Sequence, residues 1–338
     1  MSVYVVILNW NACRDTLACI DSLGQSSTPQ ARLVICDNGS TDGSVASLTQ
    51  ALQARFGNAF CQIDRAAADG AVAAPGNAQV WLIANQANLG FAAGNNIGIR
   101  FALRDAACSH VWVLNNDTEV APDALAQALA RMQADPSIGI CGSTLVYHHD
   151  RRTVQALGGA SYSRWTGRTR HLGAFGQLGD VPVDSEAIER ATACVVGAAM
   201  LVSRAFLAAV GLMREDYFLF YEELDWATRA GLPNPAGQRF RLGYAPRSVV
   251  FHKEGASIGT AASGGSALSL FYLFRNRLRF SWRYHRLQTP VVLACALVDV
   301  AKLLLRRRWP QALAALRGLL QQAAPVPVPL PARSGPVG

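Results

Sequence analysis

The chain has 338 residues, 51% hydrophobic and 16% charged, a balance too apolar for a disordered polymer and too polar for a protein of many membrane spans. Its length suits one large domain, or one domain with an appendage. The net charge of +8 is concentrated in the last fifth, at Arg275, Arg277, Arg279, Arg283, Arg286, Lys302, Arg306, Arg307, Arg308 and Arg317. That excess points to an anionic partner surface. No nucleic-acid motif accompanies it, and the apolar run over residues 287–298 fits an anionic membrane face better than nucleic acid.

In chain order, residues 3–8 form an apolar, β-branched run that reads as a strand. After Asn9-Trp10-Asn11, Leu17, Ile20 and Leu23 recur at helical spacing before Gly24. The unit repeats, with a strand at 33–36, a loop from Asp37 to Ser44, and a helix carrying Val45, Leu48 and Leu52. Such alternation predicts an α/β domain with a largely parallel sheet, and puts nucleotide ligands at the carboxyl ends of its strands. Residues 66–79 are of low complexity and read as an inserted surface loop. A strand at 80–83, a loop at 88–96 and a helix towards Arg104 follow. The next strand, 111–114, ends in Asn115-Asn116-Asp117-Thr118-Glu119, Pro122 opens a helix, and Asp135-Pro136 closes it.

In the second half, residues 161–180 are rich in Gly, Arg and Ser and read as a long loop or acceptor-side lid. A buried strand is expected at 194–203, a short helix at 204–210, an aromatic and acidic helix at 217–230, and one or two strands at 240–251 ending on His252. After Gly255 the character changes, with aromatics mixed with arginines over 266–286, a mostly apolar helix at 287–305, and a Pro-rich tail from Ala323. The apolar run is broken by Asp299 and Lys302, which favours lying in a membrane interface over spanning it. Eight scattered cysteines without a Cys-x-x-Cys pair read as reduced core thiols of a cytoplasmic protein. The opening residues carry neither a basic region nor a cleavage site, which again predicts a cytoplasmic location.

Several constellations carry chemistry. Asp117, at the carboxyl edge of the sheet, stands where a hard divalent cation can bridge it to phosphate oxygens, although Asp117-Thr118 also suits a plain turn. Asp37 and Asp42 share a loop with two glycines on the same edge, where a carboxylate can accept the imide N–H of a pyrimidine base, or form an ordinary Asx-turn. The loop around Asn88, Gly94 and Asn95 can lie against ribose or phosphate. Three such loops on one edge point to a nucleotide site. Glu222-Glu223-Leu224-Asp225 suits a helix N-terminus electrostatically, but the preceding aromatics Tyr217, Phe218, Phe220 and Tyr221 also suit a sugar, and an apolar wall raises a carboxyl pKa towards general-base work. His252, ending a strand, is ambiguous by itself.

The order of these motifs resembles the family 2 glycosyltransferases, especially their bacterial rhamnosyltransferase-like branch. The matching stretches are VVILNWN at 5–11, VICDNGSTDGS at 34–44, NLGFAAGNN at 88–96, VLNNDTEV at 113–120, GAAMLVSR at 197–204, YFLFYEELDW at 217–226 and APRSVVFHKEG at 245–255. The resemblance implies a GT-A fold, with a Rossmann-like nucleotide-binding half and a mixed central sheet, to which the charge and hydropathy pattern adds a C-terminal helical, basic amphipathic tail. It implies an inverting transfer from a nucleotide diphosphate sugar, with Asp37 at the base, and with Asn9, Asn11, Asn38, Asp42, Asn88, Gly94, Asn95 and Asn116 around the donor. Asp117 would hold Mg2+ or Mn2+ with His252 nearby. Glu223 would be the catalytic base, with Glu222 its nearest rival and Asp225 orienting the acceptor. The donor implied is thymidine diphosphate rhamnose, although uridine diphosphate sugars use the same loops. The acceptor implied is a glycan or lipid-linked saccharide of a surface polysaccharide, handled at the cytoplasmic face of the inner membrane.

The expected organisation is a transferase domain at 1–260 (nucleotide-sugar half 1–120, acceptor half 121–260), a membrane-associating helical region at 261–322 and a disordered tail at 323–338. Two departures from the family pattern stand out. Asn115-Asn116-Asp117 leaves one carboxylate where many relatives have two, which throws more weight on His252. The segment 231–238, GLPNPAGQ, is longer and richer in proline than the usual glycine turn. Competing classes fit less well. A nicotinamide-dependent oxidoreductase needs glycines after the first strand, where this chain has Asn9-Trp10-Asn11-Ala12-Cys13. A sugar nucleotidyltransferase would carry a Gly- and Arg-rich phosphate loop there, and a glycan-binding descendant would tolerate loss of Asp117 or Glu223.

Overall fold

A computed structural model of the chain describes residues 2–26, 31–69, 78–234, 236–253 and 265–320. The first half runs β1 (Ser2–Asn9), α1 (Cys13–Gly24), β2 (Arg32–Asp37), α2 (Ser44–Phe56), β3 (Phe60–Asp64), α3 (Arg65–Asp69), β4 (Val80–Ala84), α4 (Gly90–Leu103), β5 (Cys108–Asn115), β6 (Thr118–Val120) and α5 (Ala124–Ala134). The second half runs β7 (Ile138–Tyr147), β8 (Val154–Leu157), β9 (Gly159–Ser163), β10 (Arg168–His171), α6 (Glu186–Ala191), β11 (Cys194–Val195), β12 (Ala199–Ser203), α7 (Arg204–Val210), α8 (Glu222–Ala230) and β13 (Arg241–His252). Three helices close the described chain, α9 (Ala267–Tyr284), α10 (Thr289–Leu305) and α11 (Trp309–Leu319).

The main sheet has the order β3-β4-β2-β1-β5-β12-β7-β13-β6, with β8 beside β7. From β3 to β5 all pairings are parallel, whereas β12 runs antiparallel between β5 and β7. Central strands of a parallel sheet are covered on both faces. Accordingly Tyr4, Val5, Val6 and Ile7 of β1 are all fully buried, Val5 and Ile7 in one core with α1, α2 and α5, and Tyr4 and Val6 in the other with α4 and α7. From β1 the chain builds outward to β2 on one side and later to β5 on the other. That reversal opens a crevice at the carboxyl ends, where Asn9 pairs with Asp37 and Leu8 with Asn115.

Several expectations change in the second half. Residues 161–180 contain the end of β9 and all of β10, and these two strands form a three-stranded sheet with β11 in place of the expected long loop. Arg168, Thr169 and Arg170 are exposed, so this strand carries no apolar alternation, and backbone pairing alone marks it. The strand expected over 194–203 is two strands broken at 196–198. Helix α8 starts at Glu222, not near Tyr217, because Phe218, Phe220 and Tyr221 adopt left-handed conformations with φ of 67°, 66° and 75°. The loop expected over 66–79 includes most of α3, and 70–77 lie outside the described residues. Of the eight cysteines, all free, Cys13, Cys61 and Cys295 are only partly buried.

The C-terminal helices are tied into the fold. Phe271 and Tyr272 of α9 pack with Leu219, and Phe280 packs with Tyr217 and Tyr221. Four of the arginines expected on an anionic partner surface face inward: Arg275 donates to the carbonyl oxygens of Asp216 and Tyr217, Arg277 pairs with Asp299, and Arg279 and Arg283 pair with Asp216. Residues 286–305 are long and apolar enough to cross a membrane by length and composition, yet Val292, Ala296 and Val300 pack against α9 and α11. The boundary expected at 260, Pro235 within the proline-rich segment 231–238 and the tail at 323–338 lie outside the described residues.

Candidate active site

A cleft of about 290 Å³ lies at the crevice of the sheet, with Asn116, Asp117, Glu222, Glu223 and His252 on its walls. The first wall comes from β1, β2 and the start of α4. Asn38 knits it together, its Nδ2 donating to Asn88 Oδ1 at 3.0 Å and its Oδ1 accepting from the Leu89 N–H at 3.2 Å. Asn38 and Asn88 line the cleft. Asp37 sits behind it, 1% exposed, accepting from Asn9 Nδ2 at 2.7 Å and from the N–H and hydroxyl of Ser40 at 2.9 and 2.6 Å. Asn11 accepts from the Thr41 N–H, which closes the same network. Asp42 is exposed and accepts from the Ser44 N–H, an Asx-type start for α2, so the plain turn describes it. Gly94 packs beneath Leu8 and Asn38, and Asn95 turns back to the Phe91 carbonyl at 2.9 Å. Asn9, Asn11, Asp37, Asp42, Gly94 and Asn95 therefore support or flank the cleft and do not line it.

The second wall is built where β5 hands over to β6. Thr118 pairs with His252 across β6 and β13, which brings His252 Nε2 to 3.2 Å from Asp117 Oδ1. His252 Nδ1 lies 2.9 Å from Gln155 Oε1, an oxygen that only accepts, which sets the ring so that Nε2 faces the carboxylate. This is the arrangement of a metal-ligating imidazole with its outer partner in place. The nitrogen and oxygen donors fit a divalent cation such as Mn2+ or Mg2+. Among the described residues no third His, Cys, Asp or Glu joins them. Asn116 is anchored through Nδ2 to Thr16 Oγ1 at 3.1 Å.

The third wall is the strained segment before α8 and the two glutamates that follow it. Glu222 is 1% exposed with Oε2 unpartnered among the described residues, and burial together with the charge of Glu223 raises its pKa well above the usual carboxylate range. Burial raises the Glu223 carboxyl to about 6. Glu223 reaches the cleft across Gly197, where a Cβ would lie 2.5 Å from its Oε1. Asp225 points elsewhere. It is fully buried among Tyr217, Tyr284, Arg229 and Arg283, with Arg229 Nε at 2.8 Å, so it braces the helix and does not face the cleft. Two helical positions, about 200° of rotation, separate Glu223 from Asp225, so the two cannot share a face.

Several contributors escaped the sequence reading. The Phe91 N–H donates to the Phe218 carbonyl at 2.7 Å, joining the α4 loop to the strained segment, and Gly90 permits the approach because a Cβ there would strike that same carbonyl. Asn276 of α9 donates to the carbonyls of Tyr217, Leu219 and Phe220 at 2.8, 2.7 and 3.0 Å. Trp10, His171 and Leu268 also reach the cleft. No local pattern marks these residues. The Asn-aromatic sequence around Asn276 reads as an ordinary helix face.

A mixed sheet whose parallel half ends in such a cleft is the architecture of the GT-A glycosyltransferases. Solved structures agree on the fold. That of GalNAc-T7 with UDP, GalNAc and Mn2+ superposes with a TM-score of 0.56 at 14% identity, covering 81% of this chain, which spans only 47% of that one. The mannosyltransferase PcManGT from Pyrobaculum calidifontis, in complex with GDP-Man and Mn2+, gives 0.50 at 16% identity, with 94% and 86% of the two chains covered. Residues 1–349 of S. aureus TarS give 0.51 at 12% identity, with 95% and 80% covered. No curated protein sequence matches the chain. Residues 4–185 match the family described as Glycosyl transferase family 2, and the chain belongs to that family.

Proposed function

We propose that the protein is an inverting, metal-dependent glycosyltransferase that moves a sugar from a nucleotide diphosphate donor to a hydroxyl of a glycan or lipid-linked saccharide. The observation that carries this is the convergence of Glu223, raised to about 6 by burial, with Asp117 and His252 on one cleft of about 290 Å³. Asn38, Asn88 and Asn116 hold the donor from the nucleotide side, and the aromatic carbonyl-rich segment 217–221 faces the acceptor. Asp117 and His252 would hold a divalent cation, which when bound neutralises charge on the departing diphosphate. Glu223 takes the proton from the acceptor hydroxyl as that oxygen attacks the anomeric carbon opposite the diphosphate. Such general-base assistance contributes about 10²- to 10⁴-fold, or roughly 3 to 5 kcal/mol of barrier. Glu222, deeper and held protonated by burial and its neighbour, donates to the sugar or acceptor and does not compete as base.

The resemblance to rhamnosyltransferases supports rhamnose on thymidine diphosphate as donor, with uridine diphosphate sugars as the alternative. Synthesis of a bacterial surface polysaccharide is the matching context. The location supported is peripheral, on the cytoplasmic face of the inner membrane. Leu287, Val298, Leu305, Trp309 and Leu320 are 53% to 90% exposed, and Arg286, Arg306, Arg307 and Arg317 stand among them or beside them. That pattern suits an interfacial, monotopic contact with anionic lipid.

The test is a panel of thymidine, uridine and guanosine diphosphate sugars, scored for binding and for transfer with Mn2+, with Mg2+ and in excess chelator. Metal-dependent binding of one donor class with inversion at the anomeric carbon is expected. Full transfer in chelator, or retention of configuration, would overturn the proposal.

A further inference from the structure

A second cavity, of about 430 Å³, lies between α9, α10 and the hairpin of β9 and β10, with Tyr221 on its wall. Its charge is one-sided. Arg168, Arg277, Lys302 and Arg306 line it against the single acid Asp299, four positive charges less one negative, or +3. Asp299 is shared by three of them, pairing with Arg168, with Arg277 Nη1 at 2.9 Å and with Lys302 at 3.9 Å. Apolar side chains of the same helices, Leu270, Leu273, Phe274 and Leu303, complete the lining.

Arg277 points to an occupant. Its side chain is 5% exposed, Nε donates to the Thr166 carbonyl at 2.8 Å, Nη1 is taken by Asp299, and Nη2 has no partner among the described residues. An ionised donor buried without an acceptor is costly, and an anion whose oxygen reached Nη2 from the cavity would remove that cost. A free anion would leave the apolar lining unused, and an uncharged lipid would leave the cations unused. An amphiphile with a phosphate head satisfies both, its chain leaving along the exposed apolar side of α10, where Leu293 and Leu297 stand.

We propose that this cavity seats the phosphate of a lipid-borne acceptor, a prenyl or alkyl phosphate ester. Tyr221 gives the cavity its place in the reaction: it lines this wall, its hydroxyl donates to the Gly167 carbonyl, and it immediately precedes Glu222 and Glu223 of the catalytic cleft. The phosphate thereby sits in a cavity that shares Tyr221 with the segment leading into the base, while the attached saccharide extends into the cleft. The proposal rests on the transferase reading and names the chemical class of its acceptor.

The experiment measures binding of farnesyl phosphate to the full chain by calorimetry, without donor, beside inorganic phosphate, farnesol and dihexanoyl phosphatidylglycerol. Farnesyl phosphate should bind at least about ten-fold tighter than each of the three. In the double variant Lys302→Gln/Arg306→Gln, both solvent-facing, that affinity should fall by about ten-fold or more while nucleoside diphosphate binding stays unchanged. Arg277→Gln should lose as much, with circular dichroism reporting that the fold is kept; the double variant decides the matter if it is not. Equal binding of inorganic phosphate, of farnesol or of the phosphatidylglycerol would overturn the proposal in favour of a simple anion site, an apolar groove or a bulk-membrane seat respectively. Unchanged affinity in the double variant would place the ester elsewhere and also overturn it. Because donor is absent, failure here leaves donor binding intact, whereas failure of the transferase reading would show as loss of donor binding with this seat unaffected.

Discussion

The Nδ2 of Asn276, on α9, lies 2.7 Å from the carbonyl oxygen of Leu219, in the segment that delivers Glu222 and Glu223 to the cleft. The same amide also reaches the carbonyls of Tyr217 and Phe220, and three residues of the segment are left-handed, a conformation that costs on the order of 1 to 3 kcal/mol each outside glycine. Asn276→Asp removes the donor and sets a carboxylate against those carbonyls. We predict a fall in kcat with donor affinity nearly unchanged, and a loss of roughly 1 to 3 kcal/mol in urea denaturation. A variant with normal kcat would show that the segment holds its shape without α9.

Glu223→Gln keeps the shape of the side chain and removes its basicity. Turnover should drop by about 10²- to 10⁴-fold with little change in donor binding, and Glu222→Gln should be much milder. Single-turnover transfer measured on both variants decides between them, and a dead Glu222→Gln beside an active Glu223→Gln would move the base by one residue.

The pH dependence follows from the same pair. Glu223 must be ionised to accept a proton, and its carboxyl is raised to about 6, so kcat/KM should climb as pH rises through about 6 and then level off. Burial, and not a charge on Glu222, raises the Glu223 carboxyl, so Glu222→Gln should leave the climb near the same pH. The linked stability has the opposite sign. The fold favours the protonated carboxyls, so stability falls as pH rises from the ordinary carboxylate range through about 6. A rate profile flat between pH 5 and 7 would contradict the assignment.

Asp117→Asn should remove most activity together with most of the divalent-ion dependence of donor binding. Gln155→Leu touches neither donor atom directly, but it releases His252 Nδ1, and loss of such an outer partner typically weakens metal binding by about 10- to 100-fold. Titration of Mn2+ by calorimetry in the presence of nucleoside diphosphate reads both. Unaltered Mn2+ affinity in Gln155→Leu would mean that His252 is not held for a metal.

Gly197→Ala sets a methyl group 2.5 Å from the present position of Glu223 Oε1, too close for both to stay. The displaced atom is the end of a flexible side chain, so folding should be nearly unaffected while turnover falls by about ten-fold or more through misplacement of the base. Comparison of melting temperature with kcat separates the two effects.

Much of the nucleotide-binding half was legible in the sequence because its signals are local. The buried β-branched run of β1, the turn chemistry of the loop at 37–44 and the strand-terminal Asp117 each lie within a few residues, and alternation of strand and helix limits where their ends can meet. The order of motifs, through its resemblance to family 2, likewise implied that Glu223 and His252 belong together, and both line the cleft.

Tertiary structure alone decided the rest. Asp37 and Asp225 look alike as acidic residues beside a motif, yet one is tied into a turn behind the cleft and the other is neutralised by Arg229 and Arg283 on the far side of its helix. The arginines of α9 read as a basic surface in the sequence, where charge is visible but direction is not. Asp216 and the carbonyls that receive them are about 60 residues away, so their inward turn depends on contacts that no local period encodes. The left-handed turns at Phe218, Phe220 and Tyr221 are disfavoured by local propensity, and they persist because the Phe91 N–H and Asn276, from two distant segments, satisfy the carbonyls of Phe218 and Phe220.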